Sequence, residues 1–399
     1  MSTRVNHGRR RLPGAVLLAS IGRRLVRYRL SDDGFVERDR LALPLTVQYA
    51  CFHPAGPIAY VACSNGGVAS PGDRHCLVQV SLDGTGMRMV AEPVALPYRP
   101  LHASVDHESK RLVLAYNRPA AVTLHDLDDD GRVAPRRRLL AEGTALVGYF
   151  PHQVIPMPGS RNLLLTCRGD DAGKASAENP GSLRVLRDEG QTLACAQTVA
   201  PNGGFGFGPR NCAFHPRGHL LYAVLERQNR LAAFPYREGV IAPQPSWDVG
   251  LLEDSGNVRR PQLGGAIAIH PTGRYVYVVN RAHPVADGSG RLPADAMACG
   301  ENSVVVFHLD AQTGEPREMQ RLALKGLHAR CLALTADGKL LVAAPRQAGR
   351  FMHDDGRIVD CTAGFATFHV ADTGRLTFIR QDVVDVGNDQ LFWADFAPV

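Results

Sequence analysis

Two series of residues stand at fixed distances from a turn that occurs six times along a chain of 399 residues. Five residues before the turn come Gln48, Leu101, His152, Arg210, Gly265 and Arg330; eleven residues after it come Ser64, Asn117, Arg168, Glu226, Arg281 and Arg346. The second series holds three arginines and a glutamate, and the first holds a histidine and two arginines. Positions that correspond in a repeat share one face of a fold, so these charges must converge. Converging charges are costly unless they are solvated, paired or bound to a ligand. Pairing among themselves, Arg210 with Glu226 for instance, is one outcome. Guanidiniums placed repeatedly on one face favour another, a site for an anion.

The elements that carry these residues follow a single pattern. A short apolar segment leads into His-Pro or an equivalent turn, and a second apolar segment follows. The clearest copies are Cys51-Phe52-His53-Pro54, Ala213-Phe214-His215-Pro216 and Ile267–Pro271. Taking the turn residue as anchor, the copies fall at 53, 106, 157, 215, 270 and 335, with spacings of 53, 51, 58, 55 and 65. A third β-rich segment and a fourth follow each anchor, separated by turns such as Asp129-Asp130-Gly131. Four short strands per unit, bounded by Gly, Pro and Asp, predict an all-β protein made of antiparallel propeller blades. Leu391–Pro398 reads as an inner strand with nothing after it, and the segments from Ala15 to Leu43 read as outer strands with none before them. Joined, they make a seventh blade and remove the exposed edges of a linear array. The expectation is one seven-bladed domain over 1–399, with blades at 46–97, 98–142, 149–200, 208–250, 263–324, 327–386, and 389–399 with 12–45. In such a blade the start of the first strand and the end of the second lie on the same face, around the central channel. The insertions 170–180, 283–300 and 347–361 follow second-strand ends and are expected to rim that mouth.

Composition agrees with many turns: Gly 40 and Pro 27 are about one residue in six. Lys+Arg 45 against Asp+Glu 39 leaves +6, but acidic residues interleave with the arginine runs, which argues against a nucleic-acid face. Apolar runs fall well short of the ~20 residues of a membrane helix. The nine cysteines form no C-x-x-C pair and are read as reduced thiols of a cytoplasmic protein. Arg9-Arg10-Arg11 ahead of Ala15–Ile21 has the look of a twin-arginine signal, but the apolar stretch is short and is better used as a strand.

At its charged positions the sequence resembles the seven-bladed β-propeller lactonases, a family that includes 6-phosphogluconolactonases and carboxy-cis,cis-muconate cyclase. The resemblance rests on Gly208-Pro209-Arg210-Asn211-Cys212-Ala213-Phe214-His215-Pro216, on Leu221–Glu226, on Phe150-Pro151-His152, on Val276–Arg281 and on Val386-Gly387-Asn388-Asp389-Gln390. It implies His152, Arg210, Glu226 and Arg281 as the catalytic set. His152 would be the general base, since a free imidazole titrates near ~6.5. Arg210 or Arg281 would hold the oxyanion or an anionic substituent, and Glu226 would orient His152 or an arginine. Arg168, Arg330, Arg346, Gln48 and Asn117 are the expected substrate-binding residues. Gly264-Gly265-Ala266 departs from the family's longer polar motif, and the insertion at 283–300 is larger than usual. No cofactor is expected and the arginine-rich mouth argues against a metal, although His353-Asp354-Asp355 and Asp170-Asp171 could attract a cation. The expected partner is a small anionic lactone, with no nucleic acid or membrane, acted on by a monomer or weak homo-oligomer. Lactone formation from a carboxymuconate and a non-catalytic binding propeller are the rival readings.

Overall fold

The computed structural model describes residues 14–67, 70–84, 86–173, 176–256, 258, 261–282, 284 and 297–398. The Arg9–Arg11 run and most of the insertion at 283–300 lie outside the described residues. Seven antiparallel sheets follow one another, each entered through an inner strand: Thr46–Phe52, Pro100–Val105, Pro151–Pro156, Pro209–Phe214, Gln262–Ile269, Leu327–Leu334 and Leu391–Phe396. We number the blades 1 to 7 in that order. In blade 7 the inner strand pairs with Val16–Ile21, placing Ala19 opposite Ala394, and Arg24–Ser31 and Gly34–Ala42 complete the sheet. Trp393 N–H donates to Ser20 Oγ at 3.0 Å, closing the ring as expected.

Blades pack face to face, and seven buried apolar clusters each join two neighbours; Leu18 and Trp393 of blade 7 meet Val47 and Val61 of blade 1, for example. Second strands are covered on both faces, so Ile58–Ser64 and Tyr275–Ala282 are buried at every position. That burial explains their near-continuous apolar sequence. The anchor histidines are latches: His215 Nε2 meets the Gly273 carbonyl of the next blade at 2.8 Å. Tyr222 and Tyr277 donate their hydroxyls to the carbonyls of Gly314 and Gly374, again one blade on, at 2.6 and 3.1 Å. Outer edges are less regular than the repeat predicts. In blade 1 the edge is Arg88–Met89 and Val94–Ala95, and in blade 4 it is Val240–Ile241 and Trp247–Gly250.

One irregularity is common to all seven inner strands. Near its start each carries an extra residue that the second strand does not match. Pro151 and Gln153 face Cys167 and Thr166, leaving His152 between them, and Pro209 and Asn211 leave Arg210 in the same way. The corresponding residues are Gln48, Leu101, Arg330 and Phe392, with Gly265-Ala266 in blade 5. A β-bulge leaves its extra residue out of the ladder and re-aims that side chain. Six of these are the residues that stand five before the anchor; Phe392 is the seventh.

Candidate active site

Glu226 ends the second strand of blade 4 and sits among three guanidiniums. Arg210 Nε approaches its Oε1 at 2.8 Å, and Arg281 and Arg168 each donate to it as well. The carboxylate is 5% exposed. Burial alone would raise its pKa, but Arg281, Arg210 and Arg168 outweigh burial and hold it at about 2. Arg281, 1% exposed, also donates to the Gly264 carbonyl at 2.6 Å and meets His328 Nε2 at 3.2 Å. Gly265 makes room for this side chain, because a Cβ there would lie 2.8 Å from the Val279 carbonyl and 3.1 Å from Arg281 Nε. The glycine pair that departs from the family motif is thus the seat of Arg281.

Arg210 divides its donors. Nε faces Glu226 and NH1 donates to Asn211 Oδ1. Burial and the repulsion of Arg281 bring its pKa down to about 9. His152 is buried beside it, and its Nδ1 has no hydrogen-bond partner. Burial first, then Arg210 and Arg330, push the imidazole well below its ordinary pKa, so it is neutral in the ordinary pH range. Among the described residues the partners of Glu226 are arginines, one of the two kinds of partner expected for it. Phe150, two residues earlier, adopts a left-handed φ of 53° and places its ring 5.2 Å from the Arg168 guanidinium. Arg168 is further held by Asp171 at 3.2 Å.

Of the other expected residues, Arg330 and Arg346 stand on blade 6, Gln48 on blade 1 and Asn117 on blade 2. Arg330 stacks on the Phe392 ring at 4.0 Å, and Arg346 Nε donates to Gln347 Oε1 at 3.3 Å. Gln48 is buried and accepts a hydrogen bond from Arg99 Nε at 2.7 Å. A cleft of about 460 Å³ opens there, lined by Gln48, Arg346, Phe392 and the 388–390 segment. Asn117 lies half-buried at its strand end, and no bond ties it to the Glu226 cluster. Three residues escaped the sequence reading. His102 is buried with an unpartnered Nδ1 and a pKa lowered to about 3 by burial and Arg210. His328 supports Arg281, and Arg99 supports Gln48. His102 stands one place after its bulge, and the other two fall two places before theirs, where the repeat gives no signal.

Insertions stitch the rim together. Glu178 and Asp171 both bind Arg227, at 3.1 Å each, beside Glu226. Met297–Cys299 runs parallel to Gly349–Met352, which pairs with Ile358–Cys361, so two insertions share a small sheet. Among the described residues no three His, Cys, Asp or Glu side chains gather as a metal site requires. Asp170, one of the acids that could attract a cation, binds Arg118 at 3.0 Å. All nine cysteines are unpaired, and no helix among the described residues is long and apolar enough to cross a membrane.

Residues 44–353 match the family described as lactonase, 7-bladed beta-propeller. The chain is 23% identical over 257 residues to a 6-phosphogluconolactonase of Bacillus subtilis, covering 63% of this chain and 65% of that protein. It is 27% identical over 226 residues to a 6-phosphogluconolactonase of Yersinia pestis, covering 53% of this chain and 61% of that one. The chain therefore spans less than two thirds of either relative. Among solved structures, a periplasmic gluconolactonase of Pseudomonas aeruginosa shares the fold with a TM-score of 0.71 and 18% identity, over 96% of this chain and 99% of that one.

Proposed function

The chain belongs to the seven-bladed β-propeller lactonase family, and on that premise we propose that it hydrolyses the lactone of an anionic sugar acid, with 6-phosphogluconolactone the leading candidate. One observation carries the reading: a buried, neutral His152, whose Nδ1 has no partner among the described residues, stands beside an Arg210 held in place by Glu226 and Asn211.

Hydrolysis follows from these groups. His152 takes a proton from water as the water oxygen bonds to the lactone carbonyl carbon. The carbonyl π electrons move to oxygen, and Arg210 stabilises that oxyanion with a donor already fixed in place. Collapse of the tetrahedral intermediate breaks the ring C–O bond, and the departing alkoxide takes the proton back from His152. Water is consumed, a hydroxy acid is formed and the histidine is regenerated. Arg281 commits NH1 to His328 and NH2 to Glu226 and the Gly264 carbonyl, so its part is to hold Glu226, and through it Arg210, in position.

The test offers purified protein 6-phosphogluconolactone, unphosphorylated aldonolactones and carboxymuconate, with spontaneous hydrolysis subtracted. Loss of a general base costs about 10²–10⁴ in rate, so His152→Ala should lower kcat on the best lactone by that order. An unimpaired His152→Ala, or no turnover of any lactone by wild type, overturns the assignment.

A further inference from the structure

Two halves of the channel mouth differ in how their arginines are compensated. On the side of blades 3 to 5, Arg168, Arg210 and Arg281 share Glu226, and Arg168 also has Asp171. Elsewhere around the mouth, Arg330 and Arg346 of blade 6, and Arg99 at the start of blade 2 where it reaches Gln48 of blade 1, have no carboxylate partner among the described residues. Arg330 rests on Phe392, Arg346 has only the Gln347 carboxamide, and Arg99 has only the Gln48 carboxamide. Arg99 NH2 is buried with no hydrogen-bond partner among the described residues.

We propose that the cleft between blades 7 and 1 is a phosphate subsite, which seats the phosphoryl group of a phosphorylated sugar lactone and directs its ring toward His152 on the opposite side of the channel. The inference rests on the lactonase reading and adds which end of the substrate lies where. Arg346 lines the cleft itself, while Arg330 and Arg99 stand directly behind two other lining residues, Arg330 on the Phe392 ring and Arg99 on Gln48. Asp389 is the carboxylate that lines the cleft, and Arg24 already faces it at 3.6 Å. A volume of about 460 Å³ suits a ligand the size of a sugar phosphate. Thr46, Ser70, Asn388 and Gln390 add hydroxyls and carboxamides for its hydroxyl groups.

The charge count selects the ligand class. Arg330 and Arg346 repel one another; a carboxylate would bring a single charge between them, whereas a phosphomonoester brings close to two and three acceptor oxygens, which arginine forks match well. Burial holds Arg346 and Arg99 each at about 10, below the usual arginine range, and a dianion would favour their charged forms.

Calorimetry with the open-chain products tests the subsite without requiring turnover. Wild type should bind 6-phosphogluconate at least about tenfold more tightly than gluconate. Arg346→Gln and Arg330→Gln should each weaken 6-phosphogluconate on the order of tenfold, with gluconate changed much less. Arg346→Lys, which keeps a point charge, should fall between, and thermal unfolding of each variant checks the fold. Equal binding of the two products by wild type, or undiminished 6-phosphogluconate binding in both glutamine variants, overturns the subsite. Lactone hydrolysis is measured separately on the same samples, so failure of the enzyme reading is told apart from failure of the subsite.

Discussion

His152 carries the chemistry at the residue scale, and its surroundings set its pH range. Arg210, Arg330, His102 and Arg281 face it, and burial adds to their repulsion of a proton. A base with a lowered pKa remains competent in acid, so kcat/KM should show no fall between pH 7 and 5.5, and its acid limb should lie well below the ~6.5 of a free imidazole. A rate profile corrected for spontaneous hydrolysis checks this. Glu226 gives a stability prediction of definite sign. Its pKa of about 2 is below that of an unfolded carboxyl near 4.5, so its contribution is present above pH 4.5 and is lost as pH falls toward 2. Glu226→Gln leaves buried guanidiniums uncompensated and should cost about 3 kcal/mol at pH 7 in denaturant unfolding. The four residues of the expected catalytic set were legible because their types are chemically loud at repeating positions. His102 and Arg99 were not, because burial and missing partners are properties of space that spacing does not carry.

At the scale of the element, the bulge decides which side chains face the channel. It lies a constant distance from the turn, which is why an offset of five located Gln48, Leu101, His152, Arg210, Gly265 and Arg330. Five of the six present a side chain there, and Gly265 presents a space that Arg281 fills. Gly265→Ala should therefore act on the neighbour. Its Cβ would press on the Val279 carbonyl and on Arg281, loosen the hold on Glu226, and lower kcat about tenfold or more while the fold survives, as circular dichroism would show. Kinetics matching wild type would show that Arg281 needs no such seat. Second strands were readable because both their faces are buried, and inner strands because each leads into the repeated turn. Outer edges in blades 1 and 4 were not, since an exposed edge tolerates almost any sequence. The small sheet shared by two insertions was equally hidden, its strands being only 3 or 4 residues long with distant partners.

For the whole molecule, closure of the ring is the stabilising event. Leu391–Phe396 completes blade 7 and supplies Leu391 to one interblade cluster and Trp393 to the next. Deleting 391–399 would expose the edge of Val16–Ile21 and strip both clusters, so the sharp thermal transition should be lost or fall by more than about 10 °C, with aggregation in scattering. A retained transition would mean the other six blades hold the ring. Closure was legible from two incomplete sets of strands that fit each other. The opposition of a compensated and an uncompensated half was not, because it depends on which blades stand across the channel.

The same strand that shuts the ring also carries Phe392, the platform beneath Arg330. Ser20 and the Trp393 that binds it are 373 residues apart, so during synthesis Val16–Ile21 must wait for Leu391–Phe396. Such long-range pairing is slow and leaves an open edge in the meantime. A chain stopped short of Leu391 would thus lack both the inner strand of blade 7 and part of the proposed binding surface, and ligand binding becomes a report that blade 7 has closed.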